Sequence, residues 1–152
     1  VNVFDILLHS YLRWFIVGFL ILNLLFIYHG FFTNKRFSKI DKYLVSTTVS
    51  LVHTQFLVGL FVFINSPIIA LFFQNFSSHM KNEELRFFGI EHTITMILAI
   101  VLITIGSYLC RREKLDNLKF KKLLVYFSLA FVLIMISIPW EFSPYIQRPL
   151  FR

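Results

Sequence analysis

Cysteine is almost missing from this chain, with Cys110 alone among 152 residues. A single thiol cannot close an internal disulfide, and it cannot supply a thiolate zinc cluster or the four ligands of a usual iron–sulfur cluster. Charge is scarce as well. Asp, Glu, Lys and Arg make up 15% of the residues, against about 25% in an average soluble domain. A small domain has much surface for its volume, and this chain has too few polar groups to cover it in water. Walker, dinucleotide-binding and metalloprotease patterns are absent, as are internal repeats and low-complexity tracts. These shortages exclude a cytosolic globular enzyme, a disordered tail and a secreted disulfide scaffold.

What the chain has in abundance is apolar length. Hydrophobic residues reach 57%, with twenty phenylalanines, and the mean hydropathy is +0.73. A helix needs roughly 20 mostly apolar residues to cross a bilayer. Four stretches qualify: about Asp5 to Tyr28, Tyr43 to Ile64, Phe87 to Cys110 and Leu123 to Trp140. Backbone groups left unsatisfied in lipid are costly, so each should be helical. Barrel strands would alternate polar and apolar residues, and these runs do not. The expected fold is all-α, an integral membrane four-helix bundle forming a single domain over residues 1–152, with the lipid bilayer as its first partner.

The charges mark an orientation. Lys35, Arg36, Lys39 and Lys42 follow the first span, opposed only by Asp41. Arg111, Arg112, Lys114, Lys119, Lys121 and Lys122 separate the last two, opposed by Glu113 and Asp116. Lys81, Glu83, Glu84 and Arg86 fall on the other side, together with Asp5, Arg148 and Arg152. The positive-inside rule puts both basic connections in the cytoplasm and both termini outside, on the periplasmic side. The net charge of +7 is thereby explained as a topology signal, and no nucleic-acid partner is expected. The outer connection after Ile64 is long and apolar. Pro67 should end or bend the second span, and Ile68 to Phe76 reads as a short helix, lying in the interface or folding onto the bundle.

Ionisable side chains within spans are costly and mark functional sites by default. The first span has His9 and Arg13, the second His53, the third Glu91 and His92, and the fourth none before Glu141. At 100° per residue, Arg13 lies about 40° from His9 on one helix face, and Asn23 returns close to it. His9 and His92 each sit about a turn inside the outer boundary, with His53 roughly 10 Å deeper at the helical rise. Two imidazoles at matched depth suit the axial ligation of a heme iron, with His53 as the alternative ligand. Arg13 and Arg86 are candidate partners for the propionates, with Glu91 in the same polar pocket. A plainer reading stands beside this one. Intramembrane histidines also serve as helix–helix hydrogen bonds, Arg13 can snorkel outward, and Glu91 can simply border its helix. Trp14 and Trp140 read as packing or interfacial residues, and His29 and His79 as interfacial or exposed.

HSYLRW at His9–Trp14, HTQFLVG at His53–Gly59 and EHTITM at Glu91–Met96 together resemble a family of small bacterial four-helix membrane proteins labelled cytochrome b-like. The resemblance runs from His9 to Ile138, Pro139 and Trp140. It implies a bundle in the bacterial cytoplasmic (inner) membrane that binds heme b and transfers electrons, with His9, His53 and His92 as the matching histidines. The heme reading of His9, His92 and Arg13 brings partners with it: the chain would pass electrons between a quinol or another carrier and other membrane subunits of a respiratory complex near the outer face. No catalytic turnover is expected of the chain alone. Two other readings stay open: a heme-free accessory subunit of a membrane complex, and proton or metal transfer through His9, Glu91 and His92.

Overall fold

The computed structural model describes residues 3–140; residues 1–2 and 141–152 lie outside it, and with them Glu141, Arg148 and Arg152. Helix α1 covers Val3–Phe32, α2 Lys39–Ile64, α3 Pro67–Gln74, α4 Phe76–His79 and α5 Glu83–Arg86. A π-helical turn, Phe87–Glu91, leads into α6, His92–Arg112, and α7 covers Asp116–Ser137. No strand occurs among the described residues. Four helical stretches are long and apolar enough to cross a membrane: α1, α2, the run Glu83–Arg112 and α7.

Local chemistry sets the helix ends. Ser38 and Asp41 form a capping box at the start of α2, in which Asp41 Oδ2 accepts from the Ser38 backbone N–H at 2.8 Å and Ser38 Oγ accepts from the Asp41 N–H at 3.3 Å. This satisfies two amides that have no intrahelical partner. The turn after α1 contains Asn34, which takes a left-handed φ of 50°, a conformation asparagine adopts more readily than most residues. Asn117 then donates to the Asn34 side chain at 2.6 Å and to the Phe31 carbonyl at 3.3 Å. The two basic connections therefore share one end of the bundle.

The fourth span differs from expectation at both ends. It begins at Asp116, because the aliphatic stems of Lys119 and Lys122 lie along the helix while their ammonium groups reach Asp116 and Glu113. It stops at Ser137, before Trp140. Pro139 drives the residue ahead of it out of the helical region, and Ile138 is extended (φ −74°, ψ 128°).

Pro67 occupies the first turn of α3, where its missing N–H costs no hydrogen bond. This helix folds onto the bundle. Phe72 is fully buried, and a Cβ placed on Gly89 of the π turn would lie 2.6 Å from its ring.

The four long helices form a ring, α1 beside α2, α2 beside α6, α6 beside α7 and α7 beside α1. Leu20 and Ile27 of α1, Ile103 of α6, and Leu123, Phe127 and Ala130 of α7 fill its centre. Gly106 lets α6 and α7 approach closely, since a Cβ there would stand 2.6 Å from Tyr126 Cβ. Asn23 and Thr48, both buried, join α1 to α2 through a 2.7 Å hydrogen bond. Of the phenylalanines among the described residues, only Phe72, Phe120 and Phe127 are fully buried.

Candidate functional site

His9 and His92 meet at the end of the bundle opposite the basic connections. Their ring centroids are 6.4 Å apart, with planes inclined at 77°. The depth match read from the sequence thus becomes a contact between α1 and α6.

Each ring has a distinct setting. His92 is the first residue of α6, directly after the π turn, and its backbone N–H reaches back to the Phe87 carbonyl. A π turn inserts one residue into the helical ladder and re-aims whatever follows it, a device frequent at functional sites. The His92 Nδ1 donates to the Ser137 carbonyl at 3.0 Å. That carbonyl belongs to the last turn of α7, where carbonyls lack intrahelical amide partners. Because a carbonyl only accepts, the proton of neutral His92 sits on Nδ1 and the lone pair on Nε2. Phe87 lies against the ring at 5.7 Å between centroids.

His9 is held from the side of α2. Gln55 Nε2 donates to the His9 carbonyl at 2.9 Å, and Gly59 leaves room for the ring, since a Cβ there would lie 3.0 Å from His9 Cε1. His9 Nδ1 and Gln55 Oε1 are both buried without a hydrogen-bond partner. One turn along α1, Arg13 Nη2 donates to Ser10 Oγ at 3.2 Å. The Arg13 guanidinium lies 5.3 Å from the Trp14 ring centroid. Trp14 in turn meets Trp140 edge-on at 5.8 Å, and Trp140 Nε1 donates to the Met135 carbonyl at 2.8 Å.

The remaining candidates stand apart. Arg86 Nε binds Glu91 Oε1 at 2.7 Å and Arg86 Nη1 donates to the Met80 carbonyl at 3.2 Å, so these two form a pair of their own across the π turn. His53 is exposed, on the side of α2 next to α6. Its Nδ1 donates to the Val49 carbonyl at 2.7 Å, and its Nε2 is 3.5 Å from Thr104 Oγ1. Thr104 lies twelve residues beyond His92 on α6, about 18 Å at the helical rise, so His53 is not part of the His9–His92 cluster. His29 is exposed and His79 half-buried. No group of three His, Cys, Asp or Glu side chains arranged to hold a metal ion occurs among the described residues.

Sequence reasoning missed Gln55, Gly59, the π turn and the Ser137 carbonyl. Gln55 and Gly59 sit in the HTQFLVG motif, four residues apart and hence on one helix face. That spacing is a usable signal. A backbone carbonyl leaves none.

Fold and site together define a class: an all-helical chain with four helices of membrane-crossing length and a pair of contacting histidines at one end of the bundle. Compared with models of protein families, with curated proteins and with solved structures, the chain matches none of the three.

Proposed function

We propose that this chain is a four-span protein of the bacterial cytoplasmic membrane, with both termini outside. In this reading it holds a b-type heme between His9 and His92 and carries electrons as a subunit of a larger respiratory complex, with a quinone among its exchange partners. The observation that carries this reading is the 6.4 Å between the two ring centroids. Two imidazoles brought together from α1 and α6 are the donor set that would hold a heme iron.

The chemistry of the donor set agrees. His92, tied through Nδ1 to a carbonyl, has the second-shell bond typical of a metal-bound histidine and a free lone pair on Nε2. His9 has a buried nitrogen with no protein partner, and such an atom costs about 1–3 kcal/mol when left unmatched. Arg13, one turn along α1 from His9, provides a cation for a propionate. A heme held by His9 and His92 would supply a one-electron couple tuned by the residues around it and by burial. The chain's own task is positional: Ser137 orients His92, Gly59 and Gln55 seat His9, and Trp14 backs Arg13.

The test is a reduced-minus-oxidised absorption spectrum of the detergent-purified protein with heme extraction alongside. A low-spin b-type signal with stoichiometric heme is expected, lost in His92→Ala and kept in His53→Ala. Heme fully retained in His92→Ala, or a well-folded wild-type protein without heme, overturns the assignment. A second reading, a heme-free accessory subunit, draws on the fact that His92 and His53 both tie Nδ1 to backbone carbonyls, as structural histidines do. It predicts a heme-free protein that loses stability when separated from its partners.

A further inference from the structure

The π turn Phe87–Glu91 holds one residue more than an α-helical turn, and His92 follows it directly. The chain is fixed on both sides of that extra residue. Beyond it, α6 packs along α7, and His92 Nδ1 donates to the Ser137 carbonyl at 3.0 Å. Within the turn, Gly89 lies against the fully buried Phe72 of α3, so close that a Cβ would stand 2.6 Å from the ring. With both sides held, the extra residue must stay between Phe87 and the first turn of α6. Moved one residue toward α6, the bulge would take in His92 and swing its ring by up to about 100°, one residue's rotation on a helix.

An ion pair marks where the bulge stays. Arg86 Nε donates to Glu91 Oε1 at 2.7 Å, and these residues are five apart. On an α-helix, residues five apart lie about 140° from one another, and only those three or four apart are neighbours. A π turn, bonded from i to i+5, brings residues five apart onto one side. The His92 N–H on the Phe87 carbonyl is such a bond. The pair therefore fits the π register and is lost in the α register. Arg86 is itself braced, its Nη1 donating to the Met80 carbonyl at 3.2 Å.

We infer that Arg86 and Glu91 are positioning residues for His92: their ion pair pins the π turn ahead of it, and so keeps its ring on the Ser137 carbonyl and toward His9. They act through the backbone, without touching either imidazole. What the aim serves rests on the heme reading, in which His92 is an iron ligand; the aim itself does not. The two side chains are 34% and 47% exposed, so the pair is a modest one that salt screens. The seating of His92 thus depends on ionic strength at this end of the bundle.

Solvent exchange of the His92 Nδ1 proton tests it, followed by NMR of the full chain carrying isotope-labelled histidine, in detergent and in its heme-free or reduced diamagnetic form. The signal is the one missing from His92→Ala. The Nδ1 proton of His53, held by the Val49 carbonyl, is the internal reference that a general loss of stability would also move. Glu91→Gln and Arg86→Gln should each speed exchange at His92 about threefold, within the range of an exposed ion pair, and leave His53 unchanged. The double variant should be no faster than Arg86→Gln alone, since both changes remove one pair. Exchanging the charges, Arg86→Glu with Glu91→Arg, should bring the rate back below that of either single variant. Salt at about 0.5 M should speed the wild type and leave Glu91→Gln unchanged. Equal acceleration at His92 and His53, no acceleration in either single variant, or single effects that add in the double would each overturn the inference. Heme missing from a protein that shows the coupling defeats the heme reading alone, and heme bound beside a His92 indifferent to both residues defeats this inference alone.

Discussion

Replacing Thr48 with valine should cost more than replacing its partner Asn23 with leucine, although both changes delete the same hydrogen bond. Both residues are 1% exposed. Asn23 Nδ2 donates to Thr48 Oγ1 at 2.7 Å, and Thr48 Oγ1 donates its own proton to the Leu44 carbonyl at 2.9 Å. Thr48→Val keeps the side-chain shape and strands the Asn23 amide in an apolar layer. An unmatched buried donor costs about 1–3 kcal/mol, and interhelical hydrogen bonds in membranes average about 0.6 with a maximum of about 1.7 kcal/mol. A loss of about 1 kcal/mol is therefore expected. Asn23→Leu keeps the branched heavy-atom skeleton and removes the donor itself. Thr48 then retains its bond to Leu44 and loses only an incoming proton, so the change should stay within about 0.5 kcal/mol. The double variant should recover most of the Thr48→Val loss, since neither half of the pair is left behind. Equilibrium unfolding in mixed detergent micelles, run as a double-mutant cycle, measures all three. Thr48→Val no worse than Asn23→Leu, or a double variant worse than Thr48→Val alone, would refute the reasoning.

Two further predictions use the same unfolding assay. Gly30→Ala should destabilise by about 1–3 kcal/mol through overpacking, because the new Cβ would stand 2.4 Å from the buried Phe120 ring. Gly18→Ala, with nothing within 4 Å, should be neutral or stabilise by up to about 1 kcal/mol through helix propensity. Equal effects at the two glycines would contradict the packing described for α1 and α7. At the basic end, the hydrogen bond from Lys122 holds the Glu113 carboxyl below the usual glutamate range. Its contribution is then fully present above the ordinary glutamate pKa and lost as pH falls through the lowered folded value. Glu113→Gln should remove that part of the acid dependence, seen by comparing unfolding midpoints of the two proteins from neutral pH downward; identical acid profiles would rule the linkage out.

The sequence by itself determined the four helices long and apolar enough to cross a membrane. Lipid tests each residue by transfer free energy along one axis, so apolar runs were legible without any partner. The spans about Asp5 to Tyr28 and Phe87 to Cys110 lie inside α1 and the run Glu83–Arg112. The start of α2 at Lys39 was also written locally, in the Ser38 and Asp41 spacing, and the end of α7 in Pro139. Depth alone placed His9 level with His92. What lies sideways was decided only by the tertiary structure. That Gln55 and Gly59 seat His9 and that Ser137 orients His92 depend on which helix stands beside which, across hydrogen bonds that span as many as 46 residues. The π turn before His92 and the seating of α3 on Gly89 belong to the same class. The bilayer fixes how deep a residue sits. Only the interlocking of side chains fixes what it faces.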